Sequence, residues 1–160
     1  MAPAIPFQNP NQQEQTNVLG QLALQGERPA SVISGILSPN NSGAVDAGSS
    51  VMLDTANTTK LPWFLVCAAS DVAIGKLVYT EKSAAPAPGD AVEVALFGAF
   101  MWVLVDSTTV AVQALVEDGV DGPFYVEPLG TTGGAKQRGI ALDGGVAGQL
   151  IRIMIYPSLS

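Results

Sequence analysis

Ala91-Val-Glu-Val-Ala-Leu-Phe97, Phe100-Met-Trp-Val-Leu-Val105, Gly139-Ile-Ala-Leu142 and Gln149-Leu-Ile-Arg-Ile-Met-Ile155 decide the fold of this chain. Each is short, apolar and mostly bounded by glycine or Gly-Asp turns, the pattern of β-strands joined by tight connections. The last segment alternates: Leu150, Arg152 and Met154 fall on one face, and Ile151, Ile153 and Ile155 on the other. Arg152 is therefore expected near a sheet edge or against a carboxylate. Gly98 separates the first two segments so closely that they read as a hairpin, or as one strand bent at a glycine bulge.

Working outward, Trp63 to Ala68 is a continuous apolar run, as expected of a strand covered on both faces. Lys76-Leu-Val-Tyr-Thr-Glu81 reads as a half-exposed strand, and Ser83 to Asp90 as a proline loop. Ser31 to Leu37 reads as a strand before the turn cluster Pro39 to Gly43. Val45 to Leu53 is small and Gly/Ser-rich, and Asp54 to Lys60 is a polar loop. Val110 to Val116 suits a strand or one short helix, and Val18 to Leu24 a strand or a helical turn. Pro123 to Glu127 is a further short strand. About eight short strands with regular Gly/Pro/Asp turns predict an all-β fold, a compact sandwich or small barrel carrying an extended N-terminal arm. Pro88-Gly-Asp-Ala-Val-Glu-Val-Ala-Leu96 and Ala147-Gly-Gln-Leu-Ile-Arg-Ile-Met-Ile155 look alike, which we attribute at this level to recurring turn chemistry.

The expected organisation is an arm over residues 1–20 and a single β-rich domain over 21–160. Prolines at 3, 6 and 10 and a Gln/Asn-rich stretch from Gln8 to Asn17 cannot bury a core of their own. Fully extended, such an arm spans roughly 65 Å, enough to reach a neighbouring subunit. It is either a disordered tail or an arm that orders against a partner. Isolated apolar residues in a polar context favour the second, with Ile5, Phe7, Val18 and Leu19 as the contact residues.

Composition narrows the chemistry. Apolar residues make up 48% and charged residues 13%, so much apolar surface has to be hidden in a core, in self-association or on a partner. No apolar run reaches the ~18–20 residues of a membrane-spanning helix, and the N-terminus lacks the basic and apolar regions of a signal peptide. A net charge of −7 with scattered basic residues argues against nucleic acid. Lys136 and Arg138, beside Gly133 and Gly134, read as a solvated loop.

With no histidine and one cysteine, neither a zinc site nor a histidine-based nucleophile device is available. Cys67 reads as a buried small hydrophobe. Glu117, Asp118 and Asp121 read as an acidic turn tip, without the EF-hand pattern needed for calcium. Gly130 to Lys136 departs from the phosphate-loop pattern because Gln137 follows the lysine, so it reads as a hairpin loop. Trp63 and Trp102 lie inside apolar runs, which favours core packing or an inter-subunit contact over sugar stacking. The expectation is a structural or binding protein rather than an enzyme, with no catalytic residues, metal or cofactor.

The order of these elements resembles a known family. Phe64 to Ala69, Gly75-Lys-Leu-Val-Tyr79, Pro88 to Leu96 and Met101-Trp-Val-Leu104 are followed by Gly139-Ile-Ala-Leu-Asp143 and Gly148-Gln-Leu-Ile-Arg-Ile-Met-Ile155. Over roughly residues 61–156 the chain is similar to the decoration, or cement, proteins of tailed-bacteriophage heads. That resemblance implies a virion protein, made in the bacterial host cytoplasm, that sits on the outer surface of the capsid. It implies the major capsid protein as partner and a homotrimer or homodimer that bridges adjacent capsid subunits and stabilises the head. The same resemblance leaves room for another phage structural β-module, such as a head-fibre base, minor capsid or tail component. A carbohydrate-binding β-domain is the reading from outside that class.

Overall fold

The computed structural model describes residues 19–22, 31–79 and 85–157, and every regular element among them is a β-strand. β1 (Val32–Leu37), β2 (Ser50–Leu53), β3 (Trp63–Val66), β4 (Gly75–Leu77) and β5 (Ala91–Ala95) close into one barrel in the order β1-β3-β2-β4-β5. β6 (Phe100–Val105), β7 (Leu115–Gly119), β8 (Gly122–Pro128), β9 (Gln137–Ala141) and β10 (Leu150–Ile155) close into a second, in the order β10-β6-β8-β7-β9. The all-β expectation holds, with ten strands in two closed sheets where about eight strands were expected.

Alternation builds each core. Met101, Val103 and Val105 of β6 and Ile151, Ile153 and Ile155 of β10 point into the second barrel, where they pack with Val116, Val126 and Ala141. Leu150, Arg152 and Met154 lie on the half-exposed face, as the period of two requires. Leu37, Val51, Phe64, Leu77, Val92 and Val94 fill the first barrel. Closure leaves neither sheet with an unpaired edge.

The two barrels are copies of one motif. In each, the first strand runs parallel to the third and antiparallel to the fifth, and the remaining neighbours are antiparallel. The registers agree for the pairs that both barrels form, while β7 alone carries two irregularities, at Val116/Glu117 and Asp118/Gly119. Leu37 pairs with Phe64 as Val105 pairs with Val126. Ile36 pairs with Ala91 as Leu104 pairs with Leu150, and Lys76 pairs with Ala95 as Ile140 pairs with Met154. Connections match as well: the Gly89 N–H donates to the Leu37 carbonyl at 2.8 Å, and the Gly148 N–H to Val105 at 2.9 Å. Gly75 and Gly139 take the same place, where a Cβ would strike the carbonyl of Ala95 or Met154 respectively. The likeness between Pro88–Leu96 and Ala147–Ile155, read above as turn chemistry, is thus the same turn and strand of a repeated barrel.

Three further readings are corrected. β5 and β6 do not form a hairpin: β5 ends the first barrel and β6 opens the second, across a turn with Gly98 at φ +85°. Of the strand placed at Lys76–Glu81, the described part is the short Gly75–Leu77, with Val78 and Tyr79 beyond its end and residues 80–81 outside the described residues. All three residues of this strand are buried, because the charged end of Lys76 finds partners at the barrel junction. Val110 makes an isolated bridge to Gly145 and β7 begins only at Leu115, so the stretch between is a turn. Both tryptophans are half-buried on outward faces.

Candidate interaction surface

Barrel closure satisfies most backbone groups within each sheet, and apart from a few backbone bonds such as Lys136 N–H to the Ala69 carbonyl (2.8 Å), the barrels are joined through side chains. Lys76 on β4 and Ser50 on β2 project from the first barrel toward Asp118 on β7 and Arg138 on β9 of the second. All four are 3% exposed or less. The Ser50 hydroxyl donates to Asp118 Oδ1 at 2.6 Å, and Lys76 Nζ lies 3.3 Å from the same oxygen. Arg138 Nε donates to Asp118 Oδ2 at 2.7 Å. Lys76 also donates to the carbonyls of Gly48 (3.0 Å) and Pro123 (3.1 Å), and Arg138 to those of Asp71 (2.8 Å) and Ala68 (3.0 Å). Two cations share one carboxylate in a buried junction, and carbonyl dipoles absorb the remaining positive charge.

This arrangement corrects two sequence readings. Arg138 is not in a solvated loop, and Asp118 with Glu117 is not at an acidic turn tip: they are buried in β9 and β7. A charged residue embedded in a short apolar strand was the available signal, at Gly75-Lys-Leu and at Arg138-Gly-Ile.

Glu117 pairs across the sheet with Glu127, both fully buried. The backbone N–H groups of Gly130 (2.7 Å) and Thr132 donate to the Glu117 carboxylate, pinning the β8–β9 loop that the sequence reading left unanchored. Glu127 takes only the Thr132 hydroxyl at 3.1 Å, and its second oxygen has no partner. Burial pushes its carboxyl above the usual range, the Thr132 hydroxyl opposes this, and Asp106, Glu117 and Asp121 add to the rise.

Ser50 beside Lys76 superficially resembles an activated nucleophile, with Lys76 Nζ 2.9 Å from the hydroxyl. Burial lowers the lysine's pKa and Asp118 opposes that. Yet Lys76 is surrounded by acceptors, the environment of an ammonium ion rather than of a base. The serine is shut from solvent. Cys67 is buried as expected, and burial pushes its thiol up to about 12, away from nucleophilic use. Among the described residues no group of three or more acidic, cysteine or histidine side chains is placed to hold a metal ion. Arg152 does meet a carboxylate: Asp143 holds it through two side-chain hydrogen bonds of 2.8 and 2.7 Å.

Of the four expected contact residues, Ile5, Phe7 and Val18 lie outside the described residues. Leu19 is half-buried over Gly48, whose hydrogen takes the place of a Cβ that would sit 2.9 Å from the leucine Cδ1. The adjoining residues run along β6, with the Gly20 N–H donating to Trp102 at 2.8 Å and Leu22 bridged to Met101. Sequence reasoning missed the exposed apolar side chains of the barrels themselves. Leu53 (50% exposed), Leu61 (58%) and Val72 lie on the first barrel, and Leu115 (42%) and Leu129 (39%) on the second. At the equivalent ends of β5 and β10, the rings of Phe97 and Tyr156 meet at 4.8 Å beside an apolar hollow of about 760 Å³.

No protein-family model matches the chain, and no curated protein aligns with it significantly. Among solved structures, its fold is similar to that of the head fiber gp8.5 N base in bacteriophage phi29. The TM-score is 0.54 at 17% identity, over 81% of this chain and 99% of that one. At that identity the likeness is one of fold: this chain shares the architecture of a phage head-fibre base.

Proposed function

We propose that this chain is a structural protein of a bacteriophage virion. It binds the outer surface of the capsid as a homo-oligomer, bridges adjacent copies of the major capsid protein and stabilises the head, without catalysis. The observation that carries this reading is the fold shared with a phage head-fibre base over nearly the whole of that chain. Two others support it: polar chemistry spent on joining barrels rather than on a solvent-accessible centre, and large apolar side chains left on the surface. A protein that binds only the assembled shell stabilises it by mass action, and an oligomer engaging several sites gains effective concentration. Ile5, Phe7, Val18 and Leu19 form the arm contact in this reading.

The phi29 likeness favours a second reading of the same class, in which the two barrels are the foot of a head fibre. Both predict attachment to heads, and they differ in whether further chain projects outward. The test is co-sedimentation of the purified chain with empty heads and with unassembled capsid protein. Saturable binding to heads alone is expected, weakened by deletion of residues 1–17. Absence of binding to heads would overturn both readings.

A further inference from the structure

The repeat makes it possible to ask what each barrel carries where the other is buried at the junction. On the first barrel, Ser50, Cys67 and Lys76 face the second. Cys67 lines a recess of about 360 Å³ together with Asp118 and Pro123. By register, their counterparts on the second barrel are Leu115, Leu129 and Ile140. Cys67 donates its N–H to the Ser50 carbonyl at 2.9 Å as Leu129 does to Leu115 at 2.8 Å. On the second barrel, Asp118, Pro123 and Arg138 face the first. Their counterparts there are Leu53, Leu61 and Ile74: Leu53 pairs with Phe64 as Asp118 pairs with Val126, and Ile74 precedes Gly75 as Arg138 precedes Gly139.

Every one of those six counterparts is a leucine or isoleucine. Leu53, Leu61, Leu115 and Leu129 are exposed, and Ile74 and Ile140 are half-buried. Positions that one barrel buries at the junction are therefore apolar on the other, and the four leucines among them are exposed. The second barrel thus carries an apolar copy of the face that the first uses at the junction, and the first carries an apolar copy of the face that the second uses.

We infer that these two faces mate between copies of this chain. The second barrel of one copy, through Leu115, Leu129 and Ile140, docks on the first barrel of the next, through Leu53, Leu61 and Ile74. The geometry repeats the one that joins the two barrels within a chain. Such a contact is head-to-tail, so it closes into a ring when the barrel-to-barrel rotation divides a full turn into an even number of steps without rise, and otherwise extends as a filament. Apolar faces meet apolar faces, and neither can replace a face of the junction, where it would leave Lys76, Arg138 or Asp118 buried without its partners. This inference deepens the homo-oligomer part of the proposed function and can fail separately from attachment to heads.

The counterparts of the hydrogen-bonded Asp118 and Ser50 are Leu53 and Leu115, so these two meet across the contact. The test is the solution mass of the full chain by light scattering over a dilution series. The wild-type chain should form a closed multiple of 16.4 kDa or a concentration-dependent series. Leu53→Asp alone and Leu115→Lys alone should each weaken association roughly tenfold or more, as for a central apolar anchor. The double variant should regain it, because every contact then pairs Asp with Lys. Val146→Asp, at an exposed valine outside both faces (52% exposed), should leave the mass unchanged. A wild-type monomer at high concentration overturns the inference. So does an unchanged mass in either single variant, failure of the double variant to re-associate, or equal dissociation by Val146→Asp. Co-sedimentation with heads is scored independently: a monomer that binds heads removes this inference alone, and an oligomer that ignores heads removes the virion reading alone.

Discussion

Replacing Asp118 by asparagine should be the most damaging single change of one functional group in the barrel junction. The carboxylate is 3% exposed and faces two cations that are each 1% exposed, Lys76 at 3.3 Å and Arg138 at 2.7 Å. The wild-type cluster carries one excess positive charge. Asp118→Asn raises this to two in a buried site, whereas Lys76→Met leaves a balanced Asp118–Arg138 pair. Removing one partner of a buried ion pair costs about 3–5 kcal/mol. The carbonyls of Gly48, Pro123, Asp71 and Ala68 still hold the cations, which favours the lower end of that range. For a chain of this size about 3 kcal/mol lowers the melting temperature by roughly 10 °C. Lys76→Met forfeits chiefly its hydrogen bonds, about 1–2 kcal/mol. Urea and thermal unfolding followed by circular dichroism would measure both. A cost below about 1 kcal/mol for Asp118→Asn, or a larger cost for Lys76→Met, would refute the claim that this carboxylate locks the barrels.

Glu127 should make the protein less stable as pH rises above 4.5. Its folded pKa lies above that ordinary value, so between the two the native state holds the extra proton and stability falls with pH. Glu127→Gln should flatten that fall and raise the melting temperature at neutral pH, with little effect at pH ~4; a constant effect across pH would remove the argument. Cys67, buried and with its thiol pushed up to about 12, should react with a thiol reagent far more slowly than a free cysteine. Rapid labelling of the native chain would contradict its placement. Gln113 is the only residue other than glycine with positive φ (+66°) among those described, and its counterpart in the first barrel is Gly48 (φ +85°). Gln113→Gly should stabilise by about 0.5–1 kcal/mol, because an L side chain is strained there, and a lowered midpoint in urea would count against it.

How much was legible can be judged element by element. β6 and β10 were readable because their side chains alternate and closed sheets reward alternation. β2 was not, since Ser50 serves the junction and leaves its apolar pattern too short to stand out. The repeat was half visible in the two glycine turns at 89 and 148. It stayed unproven because what the barrels share is register and backbone conformation, with few side chains in common. Of the candidate contact residues, Leu19 is placed against the barrels, while the apolar faces went unnoticed because one leucine in a strand looks like any core residue.

Composition and local periodicity, carried by neighbours along the chain, determined that this protein is all-β, poor in charge and without histidine-based chemistry. Only the tertiary structure decided the meaning of its charges. Lys76 and Asp118 are 42 residues apart in sequence, and Asp118 and Arg138 are 20 apart. Read locally each looks solvated, because burying a charge is costly until its partner arrives. Closing two barrels and pressing them together supplies that partner, and the repeat leaves Leu53, Leu61, Leu115 and Leu129 exposed, at the positions equivalent to buried ones of the junction.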